Sequence, residues 1–331
     1  MNIVAQLGVF GYCSYDEEVM SIKVRPVVPS RLMGRGGHES VRASSSSVVG
    51  AYVALTKPRI IELLLITTVP TMVLAEGGWP SWGLVLITLL GGTLAAGGAN
   101  AINMYIDRDI DALMERTKMR PLVTGVIAPR NALIFAISLE VIAFGVLWAG
   151  ANLLSGILAI CATLFYVFIY SLWLKRTSKQ NIVIGGAAGA VPVLVGWAAV
   201  TNSVSWSAVV LFAVIFFWTP PHFWALAIRH NADYKAAGVP MLPTVVSMEK
   251  TIAAMVCYCI TVVGFSLALV PVADLGWIYV IVAVIVGVLF LGGTIALGRR
   301  PSEAGAMRLF SFSITYITLL FVALTVDVLV L

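Results

Sequence analysis

Charge is what this chain has least of. Lys, Arg, Asp and Glu supply 11% of its 331 residues, against roughly 25% in soluble domains, so a water-soluble globular fold is excluded. Histidine is nearly absent. His38, His222 and His230 are the whole supply, which leaves a haem-binding structural subunit poorly provided. Cysteine is scarce too. Of Cys13, Cys161, Cys257 and Cys259, three lie inside apolar segments. Cys257-Tyr-Cys259 lacks the two-residue spacing of metal or redox pairs. All four are expected to be small packing residues, not disulfides or thiolate ligands. The net charge of +5 reports topology first in so apolar a chain, and no nucleic-acid partner is expected.

What is present is hydrophobic. Apolar residues make up 60% of the chain and the mean hydropathy is +0.98. Nine apolar segments, most of bilayer-spanning length, fall at about 59–76, 82–104, 131–150, 153–174, 181–201, 207–229, 252–272, 276–297 and 307–329. All 21 Lys and Arg residues fall before the first segment or in and beside alternate connections. The other connections hold only Glu76 and Asp274 as charges. The positive-inside rule then predicts a cytoplasmic N-terminus, nine crossings and an outside C-terminus. The expected fold is an all-α polytopic membrane protein. Nine transmembrane helices surround a central cavity, with two long cytoplasmic loops at about 105–130 and 230–251.

Residues 1–50 differ from the rest. They carry Asp16, Glu17, Glu18, Gly-rich 33–37 and the serine run 44–47. They are expected to be a disordered cytoplasmic tail, followed by a membrane domain over 51–331. The early apolar piece lacks a basic start, which argues against a secretory signal, and the acidic trio argues against a mitochondrial transit peptide. The expected location is the cell membrane rather than the mitochondrial inner membrane.

The polar chemistry concentrates in the two long loops. Asn103, Asp107 and Asp111 stand at i, i+4 and i+8, so they drift only about 80° around a helix and share one face. Asp109 points roughly the other way. Oxygen-bearing side chains on one face beside a membrane suggest a hard-cation site. A basic cluster follows at Arg116, Lys118 and Arg120. The second loop joins Arg229, Asp233 and Lys235. Together the loops could hold Mg²⁺ between carboxylates and phosphate oxygens, with cations on the remaining charge. The bland alternative is helix-end charge solvated in the headgroup layer. Lys175 and Arg176 read most simply as interfacial anchors, and they could also reach a phosphate from the same face. His222 lies beside Pro220 and Pro221. A ligand or acid–base role and a hydrogen-bonded structural role both stay open for it. Glu62 and Glu140 are carboxylates in or near spans. Glu62 is near enough to the cytoplasmic end to snorkel and is left out of the site.

These stretches resemble the UbiA-type intramembrane prenyltransferases. The likeness rests on Asn103-x-x-x-Asp107-x-x-x-Asp111 and a second acidic loop after the sixth segment. Three further stretches resemble the haem-directed branch of that family. They are Leu55-Thr-Lys-Pro-Arg59, then Tyr105 to Asp111 running into Arg116-Thr-x-x-Arg120-Pro, and Trp218-Thr-Pro-Pro-His-Phe-Trp224 followed by Asp233-Tyr-x-x-Ala-Gly. The likeness covers about residues 50–331. The superfamily's second motif is commonly Asp-x-x-x-Asp, and Ala237 replaces its second acid here.

The resemblance implies an enzyme that uses Mg²⁺. On the family analogy Asp107 and Asp111 hold one ion with Asn103 nearby, and Asp233 helps with a second. Farnesyl diphosphate, haem b and water would give haem o and diphosphate. Haem is then substrate, not cofactor. The implied surroundings are the lipid bilayer and a haem A synthase or oxidase assembly partner. Two rivals stay open: a prenyltransferase acting on an aromatic quinone precursor, and a cation-coupled transporter, whose coupling site would sit near the midplane.

Overall fold

The computed structural model describes residues 45–331, apart from the side chains at 45–47, 59, 60 and 62–65. Most of the expected tail and the Glu62 side chain lie outside the described residues. The described chain is helical and contains no strand. In order it forms α1 (Ser45–Thr56), α2 (Pro58–Glu76), α3 (Trp82–Ile106), α4 (Arg108–Asp111), α5 (Pro129–Gly150) and α6 (Leu153–Leu164). A π-helical segment, Phe165–Leu174, runs on from α6 into the short α7 (Lys175–Thr177). Then come α8 (Asn181–Thr201), α9 (Trp206–Arg229), α10 (Asn231–Ala236), α11 (Leu242–Val245), α12 (Met248–Ala273), α13 (Trp277–Arg299) and α14 (Glu303–Val330).

Among the described residues eight helices are long and apolar enough to cross a membrane, counting Leu153–Thr177 as one. They coincide with eight of the nine expected segments, as befits a multi-pass membrane protein. The first expected segment is α2, whose described apolar part is Ile66–Glu76. The turn that ends α2 needs Gly77. Its φ of 68° is left-handed, and it lets the Gly77 and Gly78 N–H groups reach the Leu74 and Val73 carbonyls at 3.3 and 3.2 Å.

The short helix α1 was not expected from the pattern. It forms because Ala51 and Leu55 share a face and bury against Ala101 and Met104 of α3 and Leu122 and Ile127 of the following loop. Tyr52 adds an edge-to-face contact with Phe135, centroids 5.0 Å apart. Twelve residues are too short to span a bilayer.

Small residues let α3 and α5 approach closely, because apolar surface gives no driving force between helices in lipid. Gly98 faces backbone as well as side chain. A Cβ there would meet the Glu140 Oε1 atom at 2.6 Å and the Ala136 carbonyl oxygen at 3.0 Å. Glu140 is buried in this seam, and Thr163 donates to its carboxyl, 3.1 Å from each oxygen. At the other end of the bundle Asp327 of α14 is buried and accepts from the N–H groups of Gly276 and Tyr279 at 2.6 and 3.0 Å. It ties the last helix to the start of α13.

The larger core unites α8, α9, α12, α13 and α14 around Trp218, Trp224, Tyr279, Phe290 and Tyr316. A separate cluster joins Ile110 and Met114 of the first long loop to Ala227, Tyr234, Val239 and Met241. That cluster brings the two polar loops to the same end of the bundle.

Candidate active site

The helical face read from the spacing is physically continuous. α3 passes into α4 with little break, since the Asp107 N–H donates to the Asn103 carbonyl at 2.9 Å and the Asp111 N–H to the Asp107 carbonyl at 2.8 Å. Asn103, Asp107 and Asp111 are therefore stacked, and all three are buried. Asp109 faces outward. Its side chain is 60% exposed, whereas that of Asp107 is fully covered. Arg176 grips Asp109 with two contacts of 2.7 Å and holds its carboxyl down to about 2.

Around the buried face stands a ring of cations. Lys175 donates to Asp107 Oδ2. Arg120 donates to Asp111 Oδ2 at 2.5 Å. Lys57 donates to Asn103 Oδ1 at 2.8 Å. Asn103 in turn donates to Asp107 Oδ2 at 2.8 Å and to Ser171 Oγ at 3.0 Å. Arg176 Nη2 lies 4.0 Å from Asp107 Oδ1. That oxygen is buried and has no hydrogen-bond partner. An orphaned carboxylate oxygen beside a second carboxylate fits a hard divalent cation, because such an oxygen is costly to bury unless something receives it.

Lys57 sits on a strained backbone. Its φ and ψ are 52° and 64°, left-handed for a side-chain-bearing residue that precedes proline. Such a conformation costs about 1–3 kcal/mol and persists only where surrounding contacts hold it. Here it turns the ammonium into the site. Burial first, then the Arg120 and Lys175 charges, lower the Lys57 pKa to about 7. Three basic side chains thus face two carboxylates, and the third gains its charge most readily when a further anion enters.

The π-helical segment supplies the opposite wall. Ser171 Oγ donates to the Tyr166 carbonyl, five residues back, at 2.9 Å. The Tyr166 and Tyr170 rings stack at 5.3 Å. Gly185 of α8 makes room for Tyr170, since a Cβ there would lie 2.3 Å from that ring. π-helical turns are often found at functional sites. Lys57, Ser171 and Tyr166 were missed as site residues. The one usable signal was a lysine placed directly before Pro58 at the foot of a span. The π register has no sequence signature.

The remaining expected residues are placed less centrally. Asp233 is about one-fifth exposed, with His230 Nδ1 3.9 Å from its carboxyl. Among the described residues no three His, Cys, Asp or Glu side chains gather as a metal cage, so Asp233 does not join Asp107 and Asp111 in one. Arg116 lies near Tyr234. Burial raises the Tyr234 hydroxyl pKa, and the Arg116 and Arg120 charges oppose the rise. Lys118 pairs with Glu115 at 2.5 Å. Arg229 pairs with Glu303 of α14, and Lys235 is exposed. His222 lies apart, buried between Trp218 and Phe310 with centroids at 4.3 and 4.4 Å. Its Nδ1 is 2.7 Å from Ser313 Oγ. Pro220 and Pro221 are accommodated inside an unbroken α9.

Residues 64–323 match the UbiA prenyltransferase family. The chain belongs to the UbiA prenyltransferase family. Among curated UbiA-type relatives, a protoheme IX farnesyltransferase of Parafrankia sp. is 56% identical over 280 residues, covering 83% of this chain and 88% of that protein. One from Frankia alni is 54% identical over 290 residues, covering 85% and 99%. Solved structures share the UbiA architecture at lower identity. A chain from a study of digeranylgeranylglyceryl phosphate synthase superposes with a TM-score of 0.71 at 19% identity, covering 86% of this chain and 99% of that one. A UbiA homologue from Archaeoglobus fulgidus, bound to GPP and Mg²⁺, superposes with a TM-score of 0.59 at 18% identity, covering 83% and 99%.

Proposed function

We propose that this protein transfers the farnesyl group of farnesyl diphosphate to a vinyl group of haem b, with addition of water, giving haem o and diphosphate. The observation that carries the chemistry is the buried face of Asn103, Asp107 and Asp111 inside a ring of Lys57, Arg120 and Lys175. The acceptor rests on the relatives, which are protoheme IX farnesyltransferases at more than half identity over most of both chains.

A diphosphate is the anion that this excess of cations suits. Asp107 and Asp111 would hold Mg²⁺, with the orphaned Asp107 Oδ1 as one ligand and Asn103 beside them. Mg²⁺ commonly binds through one or two carboxylates plus substrate phosphates, so the lack of a complete protein cage among the described residues accords with a metal shared with the substrate. When bound, it would neutralise charge on the departing phosphate oxygens. Asp233, on the second loop, would serve a second ion. Lys57, Arg120 and Lys175 stabilise the diphosphate as the allylic C–O bond breaks and its electron pair leaves with oxygen. Arg116, Lys118, Arg176, Arg229 and Lys235 form a looser outer set that draws the anion to this end. Tyr166 and Tyr170 offer aromatic faces that shield the farnesyl cation. The vinyl π electrons of haem b close the new C–C bond. Water then adds to the resulting cation and gives up a proton.

His222 is kept as a candidate for haem contact, through the ring edge opposite its Ser313 bond. The concentration of Lys and Arg at this end supports a site on the cytoplasmic face of the cell membrane, with the N-terminus inside and the C-terminus outside. A haem A synthase or an oxidase assembly partner would receive the product. The clustering of acids at one end of the spans, rather than midway, speaks against a transporter.

The test is direct. Purified protein is incubated with farnesyl diphosphate, haem b and Mg²⁺, and the extracted haem is weighed by mass spectrometry. Gain of one farnesyl group plus water supports the reading. Unmodified haem from a folded preparation overturns it.

A further inference from the structure

The end of the bundle that carries the carboxylates has a second cationic feature, which the reaction does not use. A cavity of about 480 Å³ lies between the last turns of α13 and the first turns of α14. Leu289, Gly293, Leu309 and Phe312 line it, and Arg300 and Arg308 stand at its edge. Gly293 keeps it open. A Cβ there would touch Leu309 Cδ1 at 3.4 Å, so a large side chain would fill the space.

The surroundings of this slot are those of lipid. α13 presents Ile281, Ile285, Val288 and Leu289 outward, 49–64% exposed, which is the face of a helix meant for acyl chains. The charge at its mouth is unbalanced. Glu303, the one acid in the first turn of α14, is engaged by Arg229. Arg300 and Arg308 are exposed and form no ion pair among the described residues. The N-terminus of the 28-residue α14 adds positive dipole at the same place. Topology alone accounts for arginines at this end, but not for an apolar slot beside two of them.

We propose that α13 and α14 hold one anionic phospholipid. Its phosphate is received by Arg300 and Arg308, and one acyl chain lies along Gly293 and Phe312. The site is separate from the carboxylate face, since none of Asn103, Asp107 or Asp111 lines the cavity. Its occupant would brace the α13–α14 pair at the end where Arg229 and Glu303 join α14 to α9.

The experiment is native mass spectrometry of the full chain released from detergent containing equal phosphatidylglycerol and phosphatidylcholine. Wild type is expected to retain one phosphatidylglycerol in preference to phosphatidylcholine. Each arginine near a membrane surface contributes about a fivefold factor to anionic-lipid binding, so R300Q/R308Q should lower the preference by well over tenfold. G293F should reduce retention of both lipids by filling the slot. R299Q, beside the cavity but not lining it, should keep the preference. Equal retention of the two lipids by wild type overturns the proposal without recourse to any variant. So does an unchanged preference in a folded R300Q/R308Q protein. One-for-one displacement of the lipid by haem b also overturns it, because the slot would then be a porphyrin-carboxylate site.

Discussion

Asp107→Asn, set against Asp109→Asn, tests the assignment of one helical face to chemistry. The two residues are two apart, have the same side chain and each touch a cation. Their surroundings differ completely. Asp107 is covered, accepts from Lys175 and Asn103 through Oδ2 and leaves Oδ1 unpartnered. Asp109 is mostly exposed and paired with Arg176. Neutralising Asp107 strands the Lys175 ammonium, whose side chain is only 15% exposed. Breaking a buried pair from one side destabilises by about 3–5 kcal/mol; the amide, which still accepts from Lys175, should keep the loss near or below the lower figure. Turnover should fall by about 10²–10³-fold, the usual loss when one preorganised electrostatic partner of a developing charge is removed. Asp109→Asn removes a solvent-screened pair worth less than about 1 kcal/mol, and turnover should stay within about threefold of wild type. The assay is haem o formation per mole of folded membrane-extracted protein, with melting in detergent measured in parallel. The reasoning is refuted if Asp107→Asn works within tenfold of wild type, or if Asp109→Asn is the more damaging of the two.

Lys57→Met should raise KM for farnesyl diphosphate and lower kcat/KM by about 10²-fold without lowering the melting temperature. Its charge is disfavoured in the free protein, as the pKa lowered to about 7 indicates; a large fall in melting temperature would mean the lysine is structural. Ser171→Ala should weaken the hold on Asn103 by about 1 kcal/mol, visible as reduced kcat with normal expression. Gly98→Val should destabilise by about 1–3 kcal/mol or block accumulation, because the Ala136 backbone cannot move aside. Gly189→Ala, which meets nothing within 4 Å, should be neutral in the same melting assay. Chelation with EDTA should abolish turnover and Mg²⁺ should restore it; activity that survives exhaustive chelation would remove the metal from the proposal.

Much of the architecture was legible because the bilayer enforces a length. A helix that must cover hydrocarbon announces itself as about 20 apolar residues, and eight such helices stand where the apolar segments predicted. The face of Asn103, Asp107 and Asp111 was legible for an equally local reason. Their spacing is a property of one helix, and the ladder from α3 into α4 is nearly unbroken. The same arithmetic set Asp109 aside. α1 was not legible, since its two buried residues mean nothing until α3 and the first long loop are packed against them.

The cation ring depended wholly on tertiary structure. Nothing local distinguishes Lys175, which reaches Asp107, from Lys118, which turns to Glu115. Both are basic residues in connections between expected spans. Arg120 and Arg229 looked equivalent, yet one meets Asp111 and the other leaves for α14. Lys57 becomes part of the site only because a left-handed turn before Pro58 aims it at Asn103, 46 residues away in sequence. Ser171 joins it only because the helix winds wide over Phe165–Leu174. By itself the sequence determined the membrane class, the spans and the acidic face, because those depend on hydrophobic length and on the period of one helix. Which cations surround that face was decided by long-range packing, because a side chain's partner across a bundle is set by where other helices put it.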